Sequence, residues 1–248
     1  MGLFKTIVAL TAAMGLTSGA WAAGETVLVA GATGKSGPPL VKILTEQGYK
    51  VRAMVRDTAK AANLGAGVEV VQADVTKPET LGAALKGATY VISTIGATAP
   101  VPPNNPENVD FKGVANLVDA AKTAGVKQFV LMSSVGAGDA KPDTMLNKVF
   151  GMVLMWKGKG EDHLRKSGVP YTVVRPGGLT DCEPGKVGLK IAAGNEPFEG
   201  RICRSDVGLV MANALANKDA LGKTVATISD DKAPVTAWKS AWAGVAKD

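Results

Sequence analysis

The sequence predicts an α/β fold with a single doubly wound parallel sheet and helices on both faces. Short apolar segments rich in β-branched residues alternate along the chain with longer segments of helical periodicity. A length of 248 residues suits one such domain around one large core. The net charge of +6 is spread along the chain rather than gathered in one basic run, so we expect no nucleic-acid partner.

The first predicted strand runs into a glycine-rich turn. Residues 26–30 read Thr-Val-Leu-Val-Ala, and Gly31, Gly34 and Gly37 follow at equal spacing before a helical pattern begins. Glycines let the backbone turn sharply and approach a pyrophosphate, whose charge the N–H groups of a helix N-terminus attract. This order predicts a Rossmann-type dinucleotide site, with Lys35 and Ser36 in the phosphate turn.

The second predicted strand, residues 50–55, ends at a basic residue. A fold that prefers NAD usually places an acidic residue about 20 residues past the glycines, where it holds the ribose 2′-hydroxyl. Here Arg56 comes first, followed by Asp57 and, one turn later, Lys60. A guanidinium suits a 2′-phosphate, so the sequence favours NADP(H) over NAD(H). The alternative is that Arg56 and Lys60 are solvated charges at the start of a helix.

The remaining elements continue the alternation. Their predicted order is strand 68–74, helix 77–85, strand 88–93, helix 107–124, strand 127–132, helix 145–167 and strand 171–175. Ligands of such sheets bind beyond the carboxyl ends of the strands, so we expect the residues that end these strands to share one site. The proline-rich loop 97–106 lies on the same rim, where it forms either a wall over a substrate or only a long connector.

These motifs, with residues 129–137, 156–161, 164–171, 173–179 and 204–207, resemble the atypical short-chain dehydrogenase/reductases. The chain is most similar to the NAD(P)-binding branch that contains biliverdin-reductase-like enzymes and small plant chloroplast proteins. The likeness runs from about residue 26 to residue 248. It implies a Rossmann fold that binds NADP(H).

The resemblance also implies the position of each part of the cofactor. The turn residues Gly31, Thr33, Gly34 and Gly37 surround the pyrophosphate, and Arg56 takes the 2′-phosphate. The resemblance places Asp74 and Val75 at the adenine, and Ser93, Thr94, Ile95 and Gly96 at the ribose. It places Ser133 and Ser134 at the nicotinamide, and Pro176, Gly177, Gly178 and Leu179 at its carboxamide.

The chain departs from the family at the catalytic acid. Typical members pair a tyrosine with a lysine four residues later, and the tyrosine donates a proton to a carbonyl. Val153 stands four residues before Lys157, and Met155 stands four residues before Lys159, so neither lysine has this partner. We expect catalytic roles for Ser134, which can bind a carbonyl, and for Lys157 or Lys159, which can donate a proton or attract an anion. No metal site is expected.

Two functions fit these observations. The first is an NADPH-dependent oxidoreductase without the tyrosine, acting on a small-molecule or cofactor-like acceptor of flavin, quinone or tetrapyrrole type. Such acceptors need only a hydride donor held against them, and solvent can supply a proton. The second is a non-catalytic NADP-binding redox sensor or assembly factor with a protein partner. A sugar-nucleotide epimerase ranks third, since only residues 180–203 are available for a substrate domain.

The first 22 residues are predicted to be a signal peptide. Lys5 precedes an apolar segment, residues 6–18, and Ala20-Trp21-Ala22 has the form of a signal-peptidase site. Export to a periplasm or equivalent lumen would leave residues 23–248 as the NAD(P)-binding domain. The alternative is that this segment is retained as a membrane anchor. We expect the protein to contact a membrane only in that case. An exported NADP enzyme also needs a local supply of its cofactor.

The chain has two cysteines, Cys182 and Cys203, at a spacing that fits no metal-binding pattern. We expect them to be isolated thiols, although in an oxidising compartment they can pair.

Overall fold

The computed structural model describes residues 24–139, 141–196 and 198–248, so the predicted signal segment lies outside the described residues. The strands are β1 (Thr26–Ala30), β2 (Lys50–Val55), β3 (Glu69–Gln72), β4 (Tyr90–Ser93), β5 (Gln128–Met132), β6 (Tyr171–Pro176), β7 (Gly178–Thr180), β8 (Gly188–Ala193), β9 (Arg201–Cys203) and β10 (Lys223–Asp230). The α-helices are α1 (Gly37–Glu46), α2 (Leu81–Leu85), α3 (Val114–Ala124), α4 (Met145–Val149), α5 (Val153–Lys166) and α6 (Arg204–Ala214). None of the described helices is long and apolar enough to cross a membrane.

Eight strands form one sheet in the order β3-β2-β1-β4-β5-β6-β10-β8. All neighbours in it are parallel except β8, which runs antiparallel to β10. The strand order reverses between β1 and β4, and the crevice beyond such a reversal is where open α/β sheets bind ligands. The predicted fold class is confirmed, with one antiparallel edge strand added.

Helices cover both faces of this sheet. Helices α1 and α6 pack on one face together with Trp238 and Trp242, whereas α2, α3 and Leu164 of α5 pack on the other. Residues 27–30 of β1 are therefore fully buried on both sides, which explains why this strand is a continuous apolar run.

The predicted helix 145–167 is wrong in one respect, because the structure divides it into α4 and α5. Gly151 and Met152 both have φ of 62° and separate the two helices. The side chain of Asn147 stabilises the break, since its Oδ1 accepts from the Leu154 N–H at 2.9 Å and its amide donates to the Asp139 carbonyl at 3.0 Å. The predicted helix 107–124 likewise begins as a π-helical segment, Glu107–Gly113, before α3.

A buried carboxylate fastens α5 to the sheet. Glu161 is fully buried, and its Oε1 accepts from the Arg175 Nε of β6 at 2.9 Å. Its Oε2 accepts from Arg165 at 2.8 Å and also from Arg175. Arg165 in turn donates to Thr224 of β10 at 2.8 Å, so this cluster joins one helix to two strands.

The expectation of isolated thiols is also wrong, because Cys182 and Cys203 form a disulfide. Strands β7 and β9 pair as a separate two-stranded parallel sheet in which Thr180 lies opposite Cys203. This pairing brings together two cysteines that are 21 residues apart in sequence.

The glycine turn is held by close backbone packing, and this leads to a prediction about stability. A Cβ at Gly37 would overlap the backbone of Gly31 and Ala32, whereas a Cβ at Gly82 of α2 would have no atom within 4 Å. We expect Gly37→Ala to lower the free energy of unfolding by about 1–3 kcal/mol through overpacking. The control Gly82→Ala should raise it by about 0.5–1 kcal/mol, because alanine favours helix. Urea unfolding measures both, and equal effects of the two variants would contradict the packing argument.

Candidate active site

A cavity of about 740 Å³ opens at the carboxyl ends of the parallel strands. Most of the residues that the sequence predicted for the site line it: Gly31, Thr33, Gly34, Lys35, Ser36, Arg56, Asp74, Val75, Thr94, Ile95, Gly96, Ser133, Ser134, Lys157, Pro176, Gly177 and Leu179. The carboxyl ends of six strands, β1 to β6, therefore contribute to one concave surface.

Four predicted residues do not line this cavity. Gly37 packs beneath the turn, and Ser93 is fully buried at the end of β4. Gly178 is exposed in β7. Lys159 is exposed, and its ammonium group lies 4.4 Å from the centre of the Trp156 ring, on the surface of α5.

The glycine turn requires glycine at position 31 both for its backbone conformation and for its close neighbours. Gly31 has φ of +84°, and a Cβ there would lie 2.9 Å from Thr94 Oγ1 of the neighbouring strand end. The Gly34 N–H donates to the Gly31 carbonyl at 2.9 Å and closes the turn. Because Pro38 and Pro39 of α1 have no N–H, the backbone donors for an anion belong to the turn itself rather than to the first turn of the helix.

Basic side chains gather at one end of the cavity, beyond β2. Lys35, Arg56 and Lys60 all line it. The Asp57 carboxylate is engaged elsewhere, since it accepts from the Ala59 N–H at 3.1 Å and begins a 3₁₀ turn. The Arg56 guanidinium donates to Asn104 Oδ1 of the proline-rich loop at 2.6 Å. This end suits a group with more negative charge than a ribose hydroxyl.

A buried ion pair occupies another part of the wall. Lys157 Nζ donates to Asp110 Oδ1 at 2.7 Å, and the other carboxylate oxygen accepts from the Ala97 N–H at 3.0 Å. The Asp110 side chain is 1% exposed and that of Lys157 is 17% exposed. The Lys157 ammonium is thus held in a fixed position at the edge of the cavity.

Two glycines of α5 allow this arrangement. A Cβ at Gly158 would overlap the backbone of Gly138, and a Cβ at Gly160 would overlap the Asp110 carbonyl. Helix α5 can therefore approach the loop after β5 and the π-helical segment at once, which places Lys157 between them.

None of the three tyrosines of the chain lines the cavity. Tyr49 and Tyr90 are buried in the core and pack edge to face, with ring centres 6.3 Å apart. Burial raises the pKa of Tyr171 to about 12, the Asp248 carboxylate adds to the shift, and the Tyr171 hydroxyl donates to that group at 3.1 Å. Among the described residues the cavity therefore has no phenol to act as an acid.

Sequence reasoning missed three residues of the cavity region. Asn104 and Arg204 line the cavity, and Asp110 holds Lys157. Asp110 carried no signal, because a charged residue in a predicted helix is usually solvated. Arg204 belongs to the motif 204–207 that carries the family resemblance, but no site role was expected of it. Asn104 lies in loop 97–106, which was predicted to be either a wall over a substrate or only a long connector. The two glycines of α5 were the available signal for Asp110, since glycine inside a helix often marks close packing.

Comparison with known proteins agrees with this geometry. The family model described as NAD(P)H-binding matches residues 31–218, more than half of the chain. The chain belongs to this NAD(P)H-binding family. The resemblance to atypical short-chain dehydrogenase/reductases and the class of cofactor are thereby confirmed.

Several members of the family are similar over most of this chain. Protein TIC 62 of pea chloroplasts is 37% identical over 85% of this chain, which spans only 44% of that longer protein. Sanguinarine reductase from Eschscholzia californica is 33% identical over 80% of this chain and 86% of its own length. The solved structure of ChuY, an anaerobillin reductase from Escherichia coli O157:H7, is 28% identical with a TM-score of 0.70, covering 84% of this chain and 99% of that one.

Proposed function

We propose that this protein is an NADPH-dependent oxidoreductase that acts on a small acceptor of flavin, quinone or tetrapyrrole type. The observation that carries the proposal is one cavity with a phosphate turn, a basic end and a wall bearing serine and lysine but no tyrosine. Two relatives are named for organic compounds that they reduce, sanguinarine and anaerobillin, which supports a small-molecule acceptor.

The residues of the cavity fit the cofactor. Gly31 to Ser36 would hold the pyrophosphate, Arg56 the 2′-phosphate, and Ser133 and Pro176 to Leu179 the nicotinamide end. Ser133 Oγ is buried and has no hydrogen-bond partner among the described residues, as expected of a group that meets a ligand. When bound, NADPH supplies a hydride.

The remaining chemistry belongs to the side chains at the cavity wall. Ser134 Oγ donates to the Val135 carbonyl at 3.0 Å and can turn to donate to an acceptor oxygen. The Lys157 ammonium, held by Asp110, places a fixed positive charge where the acceptor gains negative charge. If the reduced acceptor is a stabilised anion, the positive charge of Lys157 stabilises it. A tyrosine that donates a proton is then not required.

A second function is supported by other observations. A non-catalytic NADP-binding redox sensor or assembly factor needs no acid in the cavity and needs a surface for a protein partner. Exposed apolar side chains cluster on α4, where Met145 is 75% exposed and Phe150 beyond its end is 52% exposed. Stable capture of one partner by a protein without turnover would favour this function.

We also propose export, with residues 1–22 as a cleaved signal peptide and residues 23–248 as the mature domain. The Cys182–Cys203 disulfide supports an oxidising compartment. The intact mass of the protein recovered from its native host should correspond to a chain that begins at Ala23. The mass of the full chain in a membrane fraction would instead support the retained anchor.

Arg56 provides the test of cofactor choice. We expect Arg56→Ala to weaken NADPH binding by about 10- to 100-fold, because a hydrogen bond to a charged group contributes about 1.5–3 kcal/mol. NADH binding should change little, since NADH has no 2′-phosphate. Lys42→Ala is the matched control, because Lys42 is exposed on α1 and does not line the cavity. Equal losses for NADPH and NADH would refute a role at the 2′-phosphate.

The two lysines of α5 provide the test of catalysis. We expect acceptor-dependent oxidation of NADPH by the wild-type protein with a panel of flavins, quinones and tetrapyrroles. Lys157→Met should lower kcat by about 100-fold, in the range of a lost electrostatic donor. Lys159→Met is the control, because Lys159 lies on the same helix but does not line the cavity, and this variant should retain most of the wild-type rate. No turnover with any acceptor despite tight NADPH binding would reject the oxidoreductase in favour of the sensor.

A further inference from the structure

The disulfide lies at the edge of the cavity. Cys182 follows β7 and Cys203 ends β9, with Cα atoms 5.6 Å apart. Leu179 in β7 and Arg204 next to Cys203 both line the cavity. The covalent bond therefore connects the two segments that form this part of the wall.

The two sulfurs have different surroundings. Cys182 is exposed, whereas Cys203 is 1% exposed. Cys203 immediately precedes the first turn of α6, and the Ser205 hydroxyl, which donates to the Cys182 carbonyl at 2.9 Å, lies 3.2 Å from Cys203 Sγ. A helix N-terminus and a hydroxyl donor both stabilise a thiolate. Cys182 is thus the sulfur open to attack, and Cys203 is the better leaving group.

A buried carboxyl group lies beside the bond. Asp206 is fully buried, and a carboxyl oxygen of Asp206 and the two sulfurs all lie within 4.8 Å of one another. Its Oδ1 accepts from the Gly185 N–H at 2.6 Å, whereas its Oδ2 has no hydrogen-bond partner among the described residues. Burial raises the pKa of Asp206, against the opposing effect of the Gly185 hydrogen bond. This carboxyl group can exchange a proton with a sulfur.

The position of β7 depends on the bond because β7 is short and little buried. Strands β7 and β9 have three residues each and pair only with one another. Ile202 anchors β9 because it is fully buried in the core, whereas the residues of β7 are exposed or partly buried. Pairing between two such short strands alone is marginal in water. Arg204 also pairs with Asp181, next to Cys182, at 2.6 Å, but the Asp181 side chain is 80% exposed and such a pair contributes little.

We propose that Cys182–Cys203 is a thiol-exchange site for a dithiol and that its redox state sets the affinity of the cavity for NADPH. The inference rests on the proposed NADPH site. In the exchange, a thiolate of the dithiol attacks Cys182 Sγ, the S–S bond breaks, and Cys203 leaves with the electron pair and takes a proton from Asp206. The second thiolate of the dithiol then displaces Cys182, which takes a proton from water. The dithiol loses two electrons and becomes a disulfide, and the protein gains two thiols.

The test compares oxidised and reduced full-length protein. The folded protein is treated with dithiothreitol, free thiols are counted by iodoacetamide labelling and mass, and NADPH is titrated by fluorescence. We expect two thiols without denaturant and a Kd for NADPH at least about fivefold higher after reduction. The Cys182→Ser variant cannot form the disulfide, so it should bind NADPH with the weaker affinity both before and after treatment with dithiothreitol. If that variant does not fold, the reduced wild-type protein supplies the same comparison.

A second arm tests Asp206. Asp206→Asn keeps an acceptor for Gly185 but holds no exchangeable carboxyl proton, so reduction by dithiothreitol should slow by at least about tenfold. Glu183→Gln is the matched control, because Glu183 is next to Cys182 and its side chain is 79% exposed. Equal rates for wild type and both variants would remove Asp206 from the exchange.

Three results overturn the proposal in distinguishable ways. If thiols appear only after denaturation, the disulfide is structural. If two thiols appear and the Kd is unchanged, the bond is reducible but not coupled to the cavity. If the oxidised protein does not bind NADPH, the proposed function fails together with the inference.

Discussion

The buried carboxylate of Glu161 is the interaction on which the position of the site depends. A charge without solvent is stable only when it is fully paired, and two guanidinium groups with three donated hydrogen bonds meet that condition. Arg175 lies in the central sheet and Arg165 on the same helix as Glu161. This attachment therefore fixes both the position of α5 relative to β6 and the rotation of the helix about its own axis. Lys157, one turn earlier on α5, takes its place at the cavity from this attachment.

Close packing sets the distances between the elements around the cavity, which the charged cluster does not determine. The glycines of α5 remove the side chains that would keep the helix away from Asp110 and from the loop after β5. Gly31 does the same for the contact between the phosphate turn and Thr94. Two features thus shape the cavity: glycines, which allow close approach because they have no side chain, and hydrogen-bonded charged groups. Small residues set the distances, and the ion pairs set the orientations.

Much of this could be predicted from the sequence, for physical reasons. Strands buried on both faces are continuous apolar runs, so β1, β2, β4, β5 and β6 were recognisable, and the residues at their ends converged as expected. The break between α4 and α5 was missed although glycine, here Gly151, commonly ends a helix. Its other cause is not visible in the sequence, because it is a side-chain contact of Asn147 with residues seven positions later and eight positions earlier. The disulfide was missed for a similar reason, since only the pairing of two three-residue strands brings its cysteines together.

The contact between Arg56 and Asn104 has a consequence for how the cavity accepts a ligand. The guanidinium has five N–H donors and this contact at 2.6 Å uses only Nη1, so the other donors stay available to an arriving phosphate. Asn104 orients the guanidinium before a ligand arrives, which lowers the conformational entropy lost when the phosphate binds. A phosphate held by the same guanidinium would in turn be linked to the proline-rich loop through Asn104.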